Sequence, residues 1–249
     1  MAQGDKRPLE LAFLGSGNAY APLRYWGCFL LNNRYLFDCA PTALAHLKKM
    51  GKPPEDIRAV FISHFHGDHF FGLPFLLLEF SGSTPRNDDL FIVGPPHIQE
   101  KLECITNLGF PHLLKKSPGY ELRYVEARDG LSLEVGGARF TAVCVEHTPR
   151  LECYGYRVEV DGRTVAYSGD VRVVDVLYRL AEGADVFVVE CSCWEEDCGP
   201  HLNPQIIRRL RKEIAPSTTF ILTHLDAGEG DLRGLDSVIL AEDFGVYTL

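Results

Sequence analysis

Ser63-His64-Phe65-His66-Gly67-Asp68-His69 is the stretch on which the reading of this chain turns. Three imidazoles and a carboxylate fall within positions 64–69. Residues 57–62, Ile-Arg-Ala-Val-Phe-Ile, are apolar and rich in β-branched and aromatic side chains, which predicts a buried strand. Residues 70–78 predict a helix start, with Pro74 tolerated in the first turn. The cluster is therefore expected on a strand-to-helix loop, at the carboxyl end of a strand, where open α/β sheets place ligands. Imidazole nitrogen and carboxylate oxygen suit zinc and similar divalent ions. On so tight a loop His64 and His66 can reach one ion while Asp68 and His69 turn toward a second.

The chain has 249 residues, enough to bury a core without staples, and is read as one domain over 1–249. Hydrophobic residues at 46% and charged residues at 24% are ordinary for a globular protein. The net charge of −9 argues against a broad nucleic-acid footprint, which needs a basic face. Residues 1–7 carry charges with no apolar run behind them, and no stretch is long enough to span a bilayer, so a cytoplasmic protein without membrane contact is expected. Eight cysteines are scattered through the chain and are expected to be mostly reduced. Cys191, Cys193 and Cys198 lie close enough to form a soft metal site, but their spacing fits no standard zinc motif.

Strands are expected at 9–15, 27–32 and 34–39, the last two joined by an Asn32-Asn33 hairpin, with a helix at 41–50. After the histidine cluster come a loop at 81–89, a strand at 90–93 and a helix at 96–108. An irregular stretch at 110–119 precedes strands at 120–126, 131–135 and 139–145. Strands at 156–160 and 164–167 flank Asp161-Gly162, a strong two-residue hairpin signal. A helix at 173–180, a strand at 185–190, a helix at 204–214 capped by Asn203, and strands at 218–222 and 244–249 complete the pattern. Two mixed sheets packed face to face with helices outside would accommodate this order.

His64, His147, Asp170 and His224 each follow an apolar strand. Taken singly, His147 reads as a core histidine, Asp170 as a turn residue and His224 as a strand-end histidine. Taken together they complete a set of seven candidate metal ligands: His64, His66, Asp68, His69, His147, Asp170 and His224. Asp38 and Glu190, also at strand ends, are candidates for orienting ligand imidazoles. His46, His97 and His112 read as ordinary helix and loop histidines.

His-x-His-x-Asp-His, then a lone His, then Ser168-Gly169-Asp170, then Thr223-His224, resembles the metallo-β-lactamase superfamily. Phe13-Leu14-Gly15-Ser16-Gly17, Leu36-Phe37-Asp38-Cys39 and residues 61–74 most resemble its ribonuclease Z branch. The resemblance implies a four-layer αββα sandwich of α+β class with the metal site at one rim. It implies that His64, His66 and His147 hold one metal, Asp68, His69 and His224 a second, and that Asp170 bridges both. Two Zn2+ are expected, with manganese or iron as alternatives. Ions about 3.5–4 Å apart share a hydroxide that attacks the substrate. Asp68 would orient that hydroxide or take its proton. His201, which resembles the branch's extra histidine, would protonate the leaving oxygen.

The sequence departs from that branch in two places. Only one hairpin separates His147 from Asp170, where the branch inserts a long tRNA-gripping arm, and Leu225-Asp226-Ala227-Gly228-Glu229-Gly230 replaces an Arg-rich stretch. A small or cyclic phosphodiester, or one derived from nucleic acid, is thus the expected substrate. The same site could serve acyl carbons in a thioester, lactone or β-lactam. An iron oxidoreductase is disfavoured by His66, where the diiron branch has Glu. Arg24, Tyr25, Trp26 and Arg150 are candidates for the pocket wall, although solvated loop positions suit them as well. Dimers are common in families of this pattern.

Overall fold

In the computed structural model, residues 7–84, 86–115, 119–194, 199–227, 235 and 238–249 are described. The first half of the chain runs β1 (Glu10–Gly15), β2 (Cys28–Leu31), β3 (Tyr35–Phe37), helix α1 (Ala43–Lys49) and β4 (Ala59–Phe61). It continues through α2 (Gly67–Phe70), α3 (Leu73–Gly82), β5 (Leu90–Gly94), α4 (Ile98–Gly109) and β6 (Leu122–Glu126). The second half runs β7 (Ser132–Val135), β8 (Ala138–Val145), β9 (Cys153–Val160), β10 (Arg163–Tyr167), α5 (Asp175–Ala181) and β11 (Val186–Glu190). It closes with α6 (Pro204–Glu213), β12 (Thr219–Thr223), β13 (Val238–Leu240) and β14 (Val246–Thr248).

These strands form two seven-stranded mixed sheets, ordered β14-β1-β2-β3-β4-β5-β6 and β13-β12-β11-β10-β9-β8-β7. Alternation along β1 shows why they face each other. Leu11 and Phe13 join the cluster between the sheets, whereas Ala12 and Leu14 join the cluster under the first layer of helices. Both faces are apolar, so both must be covered. Leu47 of α1, Leu76 and Phe80 of α3 and Leu102 of α4 cover the first sheet. Leu177 and Leu180 of α5 and Ile207 and Leu210 of α6 cover the second. The result is the expected αββα sandwich. Between the sheets Phe13, Phe29, Phe37 and Phe61 stack in a ladder across four strands, with centroid spacings of 5.2, 4.5 and 5.1 Å. Tyr167 meets Phe29 and Phe37 edge-on from the opposite sheet.

Turn chemistry follows the sequence. Asn32 and Asn33 both have positive φ, 49° and 57°, as do Asp161 and Gly162, 52° and 74°; these values match the tight hairpin twist. Asn203 caps α6, its side chain accepting from the Ile206 N–H at 3.0 Å. The structure also departs from the pattern. Gly67 to His69, expected as loop, form with Phe70 a helical turn of their own, and the next helix begins at Leu73 after Gly72 rather than at 70. Helix α3 runs on to Gly82, into the expected 81–89 loop. Strand β9 starts at Cys153 rather than 156, because residues 153–155 pair with 143–145 of β8. Strand β13 carries no sequence signal, being three residues at a sheet edge. No helix among the described residues is long and apolar enough to cross a membrane.

Topology brings the chemistry to one rim. Strands β3 and β4 are parallel, as are β10, β11 and β12, and β8 shares their direction because β9 runs antiparallel to both β8 and β10. The carboxyl ends of β3, β4, β8, β10, β11 and β12 deliver Asp38, the 63–69 cluster, His147, Asp170, Glu190 and His224. The sheets are tied there by Tyr156, whose hydroxyl donates to the Ile62 carbonyl at 2.7 Å, and by the Tyr154 N–H, which donates to the Ser63 carbonyl at 2.9 Å.

Gly169 completes this junction. Its φ is +58°, and a Cβ there would lie 2.8 Å from the Ser63 Cβ. Gly169→Ala is expected to lower unfolding free energy by about 2–5 kcal/mol, combining left-handed strain with overpacking. Gly183→Ala, also at positive φ (+64°) but with nothing within 4 Å, should show only the strain of roughly 1–2 kcal/mol. Urea unfolding of both variants with chelator present measures the difference.

Candidate metal centre

Two groups of donor atoms meet at the rim. His64, His66, His147 and Asp170 form one, their ligand atoms all within 4.8 Å of one another; Asp68, His69 and His224 form the second by the same measure. Asp170 lies between them. Its Oδ2 is 3.8 Å from His64 Nε2, 3.6 Å from His147 Nε2 and 3.5 Å from His69 Nε2, while its Oδ1 is 3.5 Å from His224 Nδ1. Asp68 Oδ2 is 3.3 Å from His69 Nε2 and 3.6 Å from His224 Nε2. His201 joins Asp170 and His224 in a third, overlapping group. His66, Asp68, His147, Asp170, His201 and His224 line one cavity, with the buried His64 and His69 set against Asp170.

The hydrogen bonds behind the histidines fix where their protons sit. A carboxylate or carbonyl oxygen can only accept, so the imidazole nitrogen facing it must carry hydrogen. His69 Nδ1 donates to Asp38 Oδ2 at 2.7 Å, His147 Nδ1 to the Pro200 carbonyl at 3.1 Å and His201 Nδ1 to Glu190 Oε2 at 3.0 Å. Serines relay the same constraint. Ser63 Oγ donates to Asp38 Oδ2 at 2.9 Å and so accepts from His64 Nδ1 at 3.0 Å. Ser192 Oγ donates to Glu190 Oε2 at 2.6 Å and accepts from His224 Nδ1 at 2.6 Å, well inside the 3.5 Å separating that nitrogen from Asp170. Five imidazoles therefore turn Nε2 to the centre. His66 is the exception, its Nδ1 lying 2.8 Å from His64 Nε2.

This donor set fits a divalent cation. His69 Nε2 and His224 Nε2 are fully buried and have no hydrogen-bond partner among the described residues. Two buried nitrogens left unpaired over two carboxylates carry a desolvation cost that a bound cation would relieve. Charge is arranged to match. Burial alone would raise Asp170 and Asp68, but neighbouring His224 and His69 outweigh it and hold both carboxyls below their usual range. Burial pushes His64, His66 and His147 down, favouring the neutral imidazole that ligates. Burial opposes protonation of His69 as well, yet Asp170 and Asp38 prevail and hold it well above its ordinary value. His201 is likewise raised against burial, by its bond to Glu190.

Asp38 is the hub of the first half. Besides His69 and Ser63 Oγ it accepts from the Ser63 N–H at 2.7 Å and from the Tyr167 hydroxyl at 2.6 Å. Glu190 plays the same part in the second half, its Oε1 accepting from the Val171 N–H at 2.6 Å, beside Asp170. The sequence points to both carboxylates. It did not single out Ser63, Tyr167 or Ser192 as partners; their only signal is position, one residue before the motif, at the end of a strand and two residues after Glu190.

Other candidates fall elsewhere. Arg24 is occupied structurally, donating to Ser16 Oγ at 2.9 Å and to the Ala241 carbonyl at 3.0 Å. Tyr25 packs edge-on against His46 and Phe244, and Trp26 Nε1 donates to the Ala19 carbonyl at 3.4 Å. None of these three lines the cavity, nor does Arg150; the loop contributes Asn18, Ala19 and Tyr20 instead. His46 is buried and bonded to the Leu14 carbonyl at 2.7 Å. Cys191 is a free thiol buried among the apolar residues under α6, Cys193 is disulfide-bonded, and Cys198 lies outside the described residues. Burial pushes the Cys28 and Cys153 thiols up to about 12, so neither supplies a ready thiolate.

An αββα sandwich with histidines and aspartates gathered at one rim defines a metallo-β-lactamase fold. The family model for the beta-lactamase superfamily domain matches residues 33–225, and the chain belongs to that family. It is 29% identical to ribonuclease Z of Bacillus subtilis (strain 168), with 88% of this chain and 89% of that protein covered. It is 36% identical to ribonuclease BN of Citrobacter koseri over 61% of this chain, and there it spans only half the relative's length. Among solved structures, the metallo-beta-lactamase fold protein YhfI from Bacillus subtilis superposes with a TM-score of 0.78 at 22% identity, covering 98% of this chain and all of the other. The alignment to ribonuclease Z extends over 293 positions, more than this chain's 249 residues, so that relative carries segments with no counterpart here.

Removing the Asp38 hub tests the first half of the site. Asp38→Ala leaves four donors without a partner and is expected to cost about 3–5 kcal/mol. Asp38→Asn keeps an acceptor and tolerates the φ of 56°, so it should lose less. Urea unfolding of both variants in the presence of chelator measures the order.

Proposed function

We propose that this protein is a dinuclear metal-dependent phosphodiesterase acting on a small diester. The observation that carries the reading is the pair of donor clusters with Asp170 between them. His64, His66 and His147 would hold one ion, Asp68, His69 and His224 a second, with Asp170 shared. Zinc suits this set of imidazoles and carboxylates, and manganese is the expected substitute. A pair of such ions supplies Lewis acidity that acidifies water and neutralises charge on the phosphoryl oxygens.

The chain's own groups do the rest. Asp68 stays ionised, held low by His69 and His224, so it orients a nucleophile by accepting a hydrogen bond rather than by storing a proton. His201 is held above its usual pKa, against burial, by its bond to Glu190, which favours the protonated ring. Its Nδ1 is engaged by Glu190, which leaves Nε2 toward the cavity to protonate the departing oxygen. The relatives named as ribonucleases support phosphorus over acyl carbon. Strands β9 and β10 with their short flanking loops make up the whole interval between His147 and Asp170, leaving no room there for an RNA-gripping arm. That favours a compact substrate.

Purified protein of measured metal content, assayed on an aryl phosphodiester beside lactones, thioesters and a β-lactam, tests the reading. Hydrolysis of the diester is expected; turnover confined to the acyl panel, or redox-active iron at full occupancy, would overturn it. His66→Ala and Asp170→Ala should abolish activity with the fold retained, and chelation should do the same, reversed by zinc or manganese. His201→Ala should slow alkyl-ester hydrolysis by about 10²–10⁴-fold. The loss should shrink for a p-nitrophenolate leaving group, which needs no proton.

A further inference from the structure

The cavity above the metal centre encloses about 700 Å³, far more than a phosphate group occupies. Its described lining includes Tyr20, Thr148, Pro200 and Asp226 around the metal-capable residues, with no lysine or arginine among them. Among the described residues, the part of a substrate beyond its phosphate therefore meets no lysine or arginine here. What it meets is Tyr20, 91% exposed at the cavity wall, with Leu23 on the same loop 84% exposed.

An exposed tyrosine on a slack loop would carry no information. This loop is braced. Asn18 is buried, and its Oδ1 accepts from the Tyr20 N–H at 2.8 Å. Its Nδ2 donates to the Ser192 carbonyl at 3.1 Å, and its N–H donates to the Leu225 carbonyl at 3.1 Å. Those partners adjoin Glu190 and His224, so Tyr20 is referenced to the strands that carry the centre. Gly17 seals the base of the loop, since a Cβ there would lie 2.5 Å from the Arg24 Cβ. The backbone that carries this exposed ring is thus anchored beside the site by buried hydrogen bonds.

We propose that Tyr20 is a specificity-determining residue that stacks the planar base of a nucleoside phosphodiester while the metal centre holds the phosphate. The proposal rests on the phosphodiesterase reading and narrows it. The substrate class is a small nucleoside diester recognised by one π-face and one phosphate, not a long polyanion recognised by its backbone. A backbone-tracking enzyme would present cations along the groove.

The test compares thymidine 5′-(p-nitrophenyl) phosphate with methyl p-nitrophenyl phosphate. The two share a leaving group and differ in the nucleoside. Zinc-loaded wild type should prefer the thymidine ester in KM. Tyr20→Ala should erode that preference by roughly 5- to 150-fold, the usual worth of one stacked base, with little change in kcat. Tyr20→Trp should restore it. An equal effect on both esters, no effect on either, or failure of Trp to rescue would overturn the proposal. Calorimetric binding of thymidine 5′-monophosphate, against inorganic phosphate, gives a readout that needs no turnover. If wild type cleaves neither ester, the phosphodiesterase reading falls. Tighter binding of the nucleotide than of phosphate, lost in Tyr20→Ala, would still support stacking, and equal binding of both would refute it.

Discussion

Two buried carboxylates, Asp38 and Glu190, decide the direction of four histidines at the rim, His64, His69, His201 and His224. Each is paired with a serine, Ser63 or Ser192, and each serine–carboxylate pair fixes two imidazoles, His64 and His69 in one case and His224 and His201 in the other. Without these acceptors the rings could rotate or exchange tautomers, and the centre would lose its inward lone pairs. The supporting groups are themselves locked. Tyr167 is held edge-on by the phenylalanine ladder and reaches Asp38 from the opposite sheet. Apolar stacking in the middle of the sandwich is in this way converted into aim at its rim.

The backbone shares the task. Asp38 and His224 both sit at positive φ, 56° and 55°, immediately past the last residues of β3 and β12. Such a conformation is uncommon for residues other than glycine. It turns each side chain back across the strand end rather than along it. Strain of this kind persists only where neighbours over-determine the geometry. Both residues meet that condition, Asp38 through its four accepted bonds and His224 through Ser192.

Much of this was legible in the sequence. Short apolar runs revealed the strands, and Asn32-Asn33 and Asp161-Gly162 revealed their hairpins, because these signals are local. Four of the seven ligand candidates, His64, His147, Asp170 and His224, were legible because each follows an apolar strand, and His66, Asp68 and His69 because they crowd the same short stretch as His64. What escaped depended on long-range contact. Arg24 lies near the rim in the chain, yet its guanidinium is drawn away by Ser16 and Ala241. Ser63, Tyr167 and Ser192 look unremarkable until the sheets meet. Gly67 to His69 in the helical turn at Gly67–Phe70 were read as loop because four residues are too few to show a period. Strand β13 was missed for the same reason.

The seven ligand candidates are divided between the two sheets. His64, His66, Asp68 and His69 follow β4, while His147, Asp170 and His224 follow β8, β10 and β12. Cations seated between them would act as a clasp at one edge of a sandwich otherwise closed by oily contacts. Any sliding of one layer over the other would then stretch coordination bonds, so the layers' freedom to shear would fall as the clasp fills. Loading would stiffen the molecule far from the rim, and its heat resistance would rise with free cation concentration through simple mass action.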